Sequence, residues 1–558
     1  MQIVIPMSGF GERFRKAGYD KPKPLIEIDG RPIISYVIDM FPGEKAFIFI
    51  CNQDHLENKA YEMESTIKRY CPTGKIVPIQ PHKLGPVHAA RQAISLINPE
   101  MPVIVNYCDF TCYWDWNHFK EFVKKTGCDG AIPAYKGFHP HSLGETNYAY
   151  IRENGGWIYD IQEKQPFTLD KMSEFASSGT YYFSSGKLMF DSFDSMVDLG
   201  HHLNGEYYVS LAYKQLLMQK RNLAVYELQH FMQWGTPEDV LEYLNWSKLF
   251  RRIMTESHDS MAYGSLILPM AGLGKRFSDA GYQITKPLIP VSGRKMVEQA
   301  VNDLPTTSHQ VFVVRADMPE IKTFVELTKD KYPNSICCFV PSVTEGQACS
   351  ALMGVYALKE KVNDYDIYPI TFGACDNGAL YNESEYQKLM SDPSVDVIVW
   401  GARRHHNALK QPEMYGWIDS EPNGKITSIS VKKPLRSIQT DPIVIGTFTF
   451  KKTDDFIKVV NRLFNRNGRV NGEFYLDSCI NDAIFLGLGC YLLEVDHFIS
   501  WGTPNDLKSY QYWQSCFHKW SHHPYSLIVD KNIPVEKIPE LEDLYKALVP
   551  NAYGIFDA

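Results

Sequence analysis

Residues 3–42 read IVIPMSGFGERFRKAGYDKPKPLIEIDGRPIISYVIDMFP, and residues 266–305 read LILPMAGLGKRFSDAGYQITKPLIPVSGRKMVEQAVNDLP. Each stretch begins with a short β-rich run, continues through a loop with two glycines and a Lys-Pro-Leu-Ile segment, and ends in apolar residues at helical spacing. The order strand, glycine loop, helix is typical of an α/β domain, so these two stretches decide the fold class.

The match extends along both halves of the chain. Asp109 pairs with Asp376, the Asn-Gly-Glu at 204–206 with that at 471–473, and the Trp-Gly-Thr-Pro at 234–237 with that at 501–504. The opening stretches are 263 positions apart and the later pairs 267 apart, so the order and the spacing hold. A repeat of about 250 residues is far longer than a solenoid repeat, and it predicts a tandem duplication of a whole domain.

We therefore predict a first domain over residues 1–255, a second over residues 264–520, and a C-terminal extension over residues 521–558 that packs on the second domain. The polar residues 255–264, TESHDSMAYG, form the expected junction. Within each half, buried-strand patterns such as AFIFIC alternate with helical patterns such as VHAARQAISLI. This alternation predicts a mostly parallel sheet covered by helices, with ligands bound beyond the carboxyl ends of the strands.

Composition and charge exclude several classes of protein. Hydrophobic residues make up 44% and charged residues 22% of the 558 positions, as in soluble globular proteins. A net charge of −8 gives no reason to expect nucleic acid or an anionic membrane as a partner. The twelve cysteines form no CxxC pair, so no zinc site is expected. The sequence has no run of about 18 apolar residues, so we predict no membrane span. The opening residues lack a signal-peptide pattern. We expect a cytoplasmic protein.

The glycine loops carry residues suited to a polyphosphate. Glycines let backbone N–H groups approach an anion at the start of a helix. Two cations follow each loop at fixed distances, Arg13 and Lys23 in the first half and Arg276 and Lys286 in the second. Loop amides and two cations suit a triphosphate whose P–O bond breaks. The alternative is that these charges lie on a solvated helix surface.

Two other phosphate loops are excluded by spacing. Phe14 and Phe277 stand where a dinucleotide fingerprint needs its third glycine or alanine. A Walker loop ends in GK[ST], which neither glycine loop contains.

The pattern PM[SA]GxGxRF followed by KPL resembles the sugar-phosphate nucleotidyltransferase family, and the resemblance covers nearly all of both halves. It implies two tandem Rossmann-like (GT-A-like) domains. It also implies a Mg2+-dependent transferase that moves a nucleoside monophosphate from a nucleoside triphosphate to a sugar phosphate and releases pyrophosphate. The closest resemblance is to enzymes of capsule and lipopolysaccharide synthesis and to phosphocholine cytidylyltransferases, so a non-sugar phosphate such as phosphocholine remains an alternative acceptor.

The resemblance also implies roles for individual residues. The catalytic residues would be Arg13, Lys23, Asp109, Arg276, Lys286 and Asp376, with Asp109 and Asp376 as the magnesium ligands. The nucleotide would be bound by Met7, Ser8, Gly9, Gly11, Gln80, Gly85, Met270, Ala271, Gly272, Gly274 and Gly346. The acceptor would be bound by Glu163, Lys164, Gly179, Lys433 and Gly446.

The sequence departs from the family pattern in two places. Gln233 and Ser500 stand where the family usually has a second carboxylate, so either the metal has fewer protein ligands or Glu206 and Glu473 supply one. The second half reads Val-Lys-Lys-Pro where the first has a Glu-Lys pair, so it loses the acceptor-binding glutamate. The second domain therefore either takes a different acceptor or is a degenerate ligand-binding or regulatory domain.

A glycosyltransferase is a weaker alternative. Glycosyltransferases resemble the nucleotidyltransferase family in having a similar α/β core. They normally have an Asp-x-Asp metal motif, which Asp109-Phe-Thr and Asp376-Asn-Gly do not provide. Thr236 and Thr503 are expected to cap helices instead of binding a ligand. The three adjacent histidine pairs, beginning at His201, His405 and His522, are expected at the surface.

Overall fold

A computed structural model of the protein describes residues 1–255 and 262–550, which divide into two α/β units. The first unit holds residues 1–250, 512–526 and 539–550 of the described chain. The second unit holds residues 251–255, 262–511 and 527–538. Residues 256–261, in the predicted junction, lie outside the described residues.

The first unit is built on a ten-stranded sheet in the order β11-β9-β10-β13-β8-β12-β6-β1-β4-β5. Its strands are β1 (Gln2–Met7), β2 (Glu27–Ile28), β3 (Arg31–Pro32), β4 (Ala46–Asn52), β5 (Lys75–Ile79), β6 (Val103–Asn106), β7 (Phe110–Tyr113), β8 (Gly130–Tyr135), β9 (Ala149–Asn154), β10 (Trp157–Glu163), β11 (Phe175–Ser177), β12 (Thr180–Phe183), β13 (Leu223–Leu228) and β14 (His230–Gln233). Its helices are α1 (Glu12–Lys16), α2 (Ile33–Asp39), α3 (Gln53–Glu57), α4 (Met63–Tyr70), α5 (Pro86–Arg91), α6 (Trp116–Thr126), α7 (Gly186–Asp198), α8 (Val209–Met218) and α9 (Pro237–Ile253).

The second unit is built on a nine-stranded sheet whose main path is β19-β18-β15-β20-β25-β22-β26. Its strands are β15 (Ser265–Pro269), β16 (Pro290–Val291), β17 (Arg294–Lys295), β18 (His309–Arg315), β19 (Ile336–Val340), β20 (Ile370–Phe372), β21 (Asn377–Leu380), β22 (Val397–Ala402), β23 (Gly416–Ser420), β24 (Ile426–Val431), β25 (Ile443–Phe450), β26 (Cys490–Glu494) and β27 (His497–Ser500). The remaining helices are α10 (Lys275–Asp279), α11 (Met296–Asn302), α12 (Ile321–Lys331), α13 (Gln347–Lys361), α14 (Glu383–Ser391), α15 (His406–Lys410), α16 (Thr453–Asn465), α17 (Leu476–Phe485), α18 (Pro504–Lys519) and α19 (Ile538–Leu548).

The same strand order occurs in both units. In the first unit β5, β4, β1 and β6 run parallel, and β12 follows antiparallel. In the second unit β19, β18, β15 and β20 run parallel, and β25 follows antiparallel. The α/β class is thus confirmed, with four parallel strands at one side of a mixed sheet.

Strand β1 is the buried middle of the parallel group. Every residue of β1 is buried, as expected for a strand that is covered on both faces. Val4 packs in one cluster with Ile50 and Val105 from the neighbouring strands. Because these strands are parallel, their carboxyl ends meet at one edge of the sheet. That edge receives the glycine loop after β1 and Asp109 after β6.

The prediction that residues 521–558 pack on the second domain is wrong for residues 521–526 and 539–550, which belong to the first unit. The rings of Tyr525 and Phe250 lie 4.7 Å apart, and the amide of Gln229 donates to the carbonyl of Val549 at 3.2 Å. Helix α19 lies in this segment, and its apolar face specifies burial without specifying a partner. Residues 551–558 lie outside the described residues.

The histidine pairs do not all lie at the surface as predicted. His201, His202 and His522 are exposed, but His523 is only 5% exposed. The His523 ring stacks on Phe517 at 4.1 Å. An imidazole has enough apolar area to fill such a position, which a charge count does not reveal.

Candidate active site

A cavity of about 500 Å³ opens at the carboxyl ends of β1 and β6 in the first unit. It contains five of the predicted nucleotide-binding residues, Met7, Ser8, Gly9, Gly11 and Gly85. The other lining residues are Pro6, Phe10, Glu12, Lys23, Pro24, His82, Lys83, Pro86, Tyr107, Cys108, Asp109, Glu206 and Tyr208. The glycine loop therefore faces a space large enough for a small organic ligand.

A second cavity of about 300 Å³ lies on the β9–β10 side of the same unit. It is lined by the predicted Arg13, Lys23, Asp109, Glu163, Lys164 and Gly179, together with Tyr107, Phe110, Asn147, Tyr148, Ala149, Ser177, Ser178, Tyr181, Tyr208, Phe231, Gln233, Gly235 and Thr236. Four residues line both cavities: Lys23, Tyr107, Asp109 and Tyr208. Two bound molecules would therefore meet at these side chains.

Lys23 and Asp109 form an ion pair at this junction. The Lys23 ammonium donates to Oδ2 of Asp109 at 3.0 Å. Burial is the largest single influence and lowers the pKa of Lys23, but the charge of Asp109, its hydrogen bond and the nearby Cys108 together raise the pKa above its usual value. Lys23 therefore stays positively charged at neutral pH, ready to stabilise negative charge that develops beside it.

Gly85 stands at a close approach of two backbone segments. Its φ is +86°, and a Cβ there would lie 2.8 Å from the backbone N of Tyr207. Tyr207 donates to the carbonyl of Leu84 at 2.9 Å and accepts from the N–H of Val87 at 3.2 Å. Only glycine fits this conformation and this spacing, so Gly85 holds residues 204–208 against the wall of the first cavity.

Gln80, the predicted partner of the base, does not line either cavity. Its side chain is exposed, and its amide donates to Gln53 at 2.6 Å. His82 and Lys83 face the first cavity in its place, and Lys83 lies 2.7 Å from Glu12. Sequence spacing placed Gln80 near the strand end but did not determine which way its side chain points.

A polar chain connects the two cavities. The Lys164 ammonium donates to the Tyr208 hydroxyl at 2.6 Å, and that hydroxyl donates to Glu206 at 2.9 Å. Glu163 accepts a hydrogen bond from Ser210, and burial raises its pKa. The second cavity thus offers a lysine and a buried carboxylate to a ligand that carries both a phosphate and hydroxyl groups.

Gln233, at the place of the usual second carboxylate, is tied to a helix cap. Its amide donates to Asp239 at 2.8 Å. The Thr236 hydroxyl donates to Asp239 at 2.7 Å and accepts from the Asp239 N–H at 3.2 Å. This is the predicted capping box, and Thr503 and Asp506 repeat its backbone bonds in the second unit.

The second unit repeats the central ion pair. The Lys286 ammonium donates to Asp376 and to the carbonyl of Gly502, the latter at 3.4 Å. Burial opposes the charge on Lys286, but Asp376 raises its pKa above the usual value. Gly274 precedes α10 with φ of 63°, as Gly11 precedes α1 with φ of 62°. The predicted Met270, Ala271, Gly272 and Arg276 belong to this loop and the helix after it.

Gly346 repeats the close approach made by Gly85. A Cβ at Gly346 would lie 2.5 Å from the carbonyl oxygen of Phe474. Phe474 donates to the carbonyl of Glu345 and accepts from the N–H of Ala348, at 2.9 and 3.0 Å. Residues 471–475 therefore occupy the same position in the second unit as residues 204–208 in the first.

The structural counterpart of Lys164 is Lys432, not the predicted Lys433. Lys164 and Lys432 have φ of 56° and 58°. The Lys164 N–H donates to the Tyr148 carbonyl at 2.9 Å, and the Lys432 N–H donates to the Tyr415 carbonyl at 3.0 Å. Lys433 is exposed.

The structure adds two residues that the sequence did not single out. Tyr107 and Tyr208 both line the junction of the two cavities. A signal for Tyr208 was present, because it follows the repeated Asn-Gly-Glu and recurs as Tyr475. Tyr107 has no counterpart of its own type, since Ala374 stands at that position in the second half.

The glycine loop and the two adjoining cavities at one strand edge provide space for two small ligands side by side. Residues 3–242 match the nucleotidyl transferase family. The first unit of the chain therefore belongs to that family.

The chain spans only part of the length of the curated relatives that it matches. The bifunctional protein GlmU of Burkholderia mallei (strain SAVP1) is 32% identical over 178 residues, which cover 31% of this chain and 35% of that protein. The mannose-1-phosphate guanylyltransferase catalytic subunit beta of Xenopus tropicalis is 26% identical over 247 residues, which cover 43% of this chain and 63% of that protein.

Solved structures resemble the chain over less than half of its length. A nucleoside-diphosphate-sugar pyrophosphorylase from Vibrio cholerae RC9 has a TM-score of 0.37 and 19% identity, and covers 44% of this chain and 98% of its own. The inositol-1-phosphate CTP transferase from T. maritima has a TM-score of 0.35 and 16% identity, and covers 46% of this chain and 96% of its own. In the described part of the chain, no helix has the length and apolar character that a membrane crossing requires.

Proposed function

We propose that the protein is a nucleotidyltransferase that moves a nucleoside monophosphate from a nucleoside triphosphate to a sugar phosphate and releases pyrophosphate. The observation that carries this proposal is that Lys23 and Asp109 line both cavities of the first unit. A transfer between two bound molecules needs charged groups at the place where the molecules meet. The membership of residues 3–242 in the nucleotidyl transferase family supports the same activity.

In this proposal the triphosphate occupies the first cavity, with its phosphates along the loop from Ser8 to Gly11. The acceptor occupies the second cavity, with its phosphate near Arg13 and Lys23. An oxygen of the acceptor phosphate forms a bond to the α-phosphorus while the bond from the α-phosphorus to the bridging oxygen breaks, and pyrophosphate leaves with those electrons. Lys23 stabilises the charge of the transition state, so no covalent intermediate is required.

The residues at the junction fit a magnesium ion. Mg2+ is usually held by one or two carboxylates and by substrate phosphates, and Asp109 supplies one carboxylate. Gly235 leaves space beside it, because even a Cβ there would lie 3.4 Å from Oδ2 of Asp109. Gly502 does the same beside Asp376, at 3.3 Å. A Mg2+ ion in each unit would neutralise phosphate charge, with Asp109 as the protein ligand in the first unit and Asp376 in the second.

We further propose that the two units arose by tandem duplication and that both are active. The shared strand order and the Lys286–Asp376 pair support this. A degenerate second unit that only binds a ligand or regulates the first remains the alternative, as does phosphocholine as the acceptor. A role in surface-glycan or capsule precursor synthesis in the cytoplasm completes the proposal.

The test is pyrophosphate release by the full-length protein with Mg2+, four nucleoside triphosphates and a panel of sugar 1-phosphates and phosphocholine. The wild type is compared with Asp109→Asn and Asp376→Asn. Loss of all activity in one variant alone assigns catalysis to that unit, and substrate-specific losses in each assign activity to both. Absence of acceptor-dependent pyrophosphate release by the wild type across the panel contradicts the proposal.

A further inference from the structure

The second unit has no glutamate at the position of Glu163, but it has a carboxylate on the facing element. Glu163 ends β10 and pairs across the strands with Ala149 on β9. The corresponding pair in the second unit is Val431 on β24 and Gly416 on β23. The carboxylate at the end of β10 is therefore replaced by a valine at the end of β24.

The helix that faces this strand pair has an acid in the second unit, where the first unit has a serine. Ser210 is the second residue of α8 and donates a hydrogen bond to Glu163. Asp477 is the second residue of α17, at the same distance after the repeated Asn-Gly-Glu. The residues before the two helices, Tyr208 and Tyr475, both have φ of −86° and ψ of 147°, so the helices begin in the same way.

The Asp477 carboxylate reaches over the pair that corresponds to Ala149 and Glu163. A Cβ at Gly416 would lie 2.3 Å from Oδ2 of Asp477, so the carboxylate occupies the space that an alanine would need. The first unit has the longer acid on the strand, an alanine opposite it and a small serine on the helix. The second unit has the acid on the helix, a glycine beside it and a valine on the strand.

Asp477 lacks a partner that would explain it as a structural residue. In the described part of the chain, its carboxylate accepts no hydrogen bond from another residue's backbone or side chain. Lys432 is the nearby cation, and its ammonium lies 5.5 Å from the centre of the Tyr475 ring. Burial also raises the pKa of Asp477 to about 6. Asp477 is partly buried, and its carboxylate is available to a ligand that supplies hydrogen-bond donors.

We propose that Asp477 is the acceptor-binding carboxylate of the second unit and that, with Lys432, it binds a phosphorylated acceptor through the acceptor's hydroxyl groups. This rests on the proposed function of the chain. The acid has moved from the strand to the helix and is shorter by one methylene, so the second unit takes an acceptor with a different hydroxyl arrangement from that of the first. The loss of Glu163 is compensated, and the second unit is a working binding site.

The test measures binding by calorimetry in the full-length protein with Glu163→Gln and Lys164→Ala, which disable the first acceptor cavity. The probes are glucose, mannose and N-acetylglucosamine 1-phosphates, with phosphocholine as a phosphate that lacks hydroxyl groups. At least one sugar phosphate is expected to bind. Asp477→Asn should weaken that binding at least tenfold, because a hydrogen bond to a charged group is worth about 1.5–3 kcal/mol.

A matched control is Asp454→Asn, which changes an exposed aspartate in the first turn of α16. It should leave the affinity unchanged. A rescue variant combines Gly416→Ala, Val431→Glu and Asp477→Ser, which returns the acid to the strand as in the first unit. It should recover binding of a sugar phosphate, which a merely structural role of Asp477 would not allow.

The proposal is overturned if no sugar phosphate binds, if only phosphocholine binds, or if Asp477→Asn changes the affinity less than twofold. It is also overturned if the rescue variant unfolds at the same temperature as the wild type but does not bind. Pyrophosphate release by the first unit of an Asp376→Asn protein tests the proposed function separately. Activity there, together with unaltered binding in Asp477→Asn, would reject the role of Asp477 alone.

Discussion

The Nζ atom of Lys23 lies 3.0 Å from Oδ2 of Asp109, at the junction of a cavity of about 500 Å³ with one of about 300 Å³. The two residues are far apart in sequence but follow neighbouring strands, β1 and β6. Each contributes a charge to both cavities. The pair therefore connects a predicted phosphate loop with a predicted acceptor site.

Replacing Lys23 should remove transition-state stabilisation. In an Asp376→Asn background, which disables the proposed second active site, we expect Lys23→Met to lower kcat by about 10²–10³-fold, the usual effect of removing one electrostatic group from a preorganised site. Steady-state pyrophosphate release measures it. Lys21→Met is the matched control, because Lys21 is exposed and pairs with the exposed Glu27 at 2.8 Å, away from both cavities. Equal losses in both variants would contradict the role of Lys23.

Gly85→Ala should disturb the wall of the first cavity. The added Cβ meets the Tyr207 backbone at 2.8 Å, so residues 204–208 must move and the KM for the triphosphate should rise. Gly43→Ala is the control, because Gly43 has φ of +85° but nothing within 4 Å of a Cβ. Both variants place an alanine at a positive φ, which strains the backbone in each. A similar KM in the two variants would contradict the packing argument.

Gln233→Glu should lower the magnesium requirement and reduce stability. The new carboxylate lines the second cavity, where Mg2+ binds in our proposal, but it lies beside Asp239, which the Gln233 amide contacts at 2.8 Å. We expect half-maximal activity at a lower Mg2+ concentration and a lower Tm at neutral pH, because two like charges then adjoin. Thermal unfolding and Mg2+ titration measure the two effects. An unchanged Mg2+ dependence would argue that position 233 is remote from the metal.

The stability of the second unit should depend on the ionisation of Asp477. Burial raises its pKa from the usual 3.8 to about 6, so the folded protein favours the protonated acid. Ionisation therefore costs stability progressively between pH 4 and pH 6, and the cost is complete above pH 6. Lys432 is the charged side chain that acts on this carboxyl, and it opposes the effect of burial. Asp477 in turn raises the pKa of Tyr475 and of Cys479.

Asp477→Asn should accordingly stabilise the full-length protein at pH 7.5 and have little effect at pH 4. With allowance for partial exposure, we expect about 1–2 kcal/mol at the higher pH. Thermal unfolding at both pH values measures it, with Asp454→Asn as the control. A loss of stability at pH 7.5 would contradict this account, because it would mean that the charged carboxylate stabilises the fold.

Sequence patterns were sufficient to predict the sheet edge that carries the site, but not the ion pairs that form there. Parallel strands bring their carboxyl ends together, so a glycine loop after one strand and an aspartate after another must converge. The capping boxes followed from local spacing alone. These features depend on chain direction and on neighbouring residues, which a sequence displays directly.

Other features depend on side-chain direction and cross-strand register, which the sequence did not reveal. Ala149 and Gly416 are 267 positions apart, but their strand partners Glu163 and Val431 are 268 apart. This single-residue insertion makes Lys432 the counterpart of Lys164, where a constant spacing of 267 would point to Val431 on the opposite face of the strand. Gln80 does not line the cavity, because its side chain donates a hydrogen bond to Gln53 instead. The sequence does not show this side-chain direction.

The most direct test of the central claim follows the phosphorus atoms of the triphosphate by ³¹P NMR. The full-length protein is incubated with Mg2+, a nucleoside triphosphate and sugar 1-phosphates, and the products are identified. The account predicts pyrophosphate and a new diphosphate that joins the nucleoside to the sugar, both absent with Lys23→Met combined with Lys286→Met. Formation of orthophosphate or of a nucleoside diphosphate, without that joined product, would contradict it.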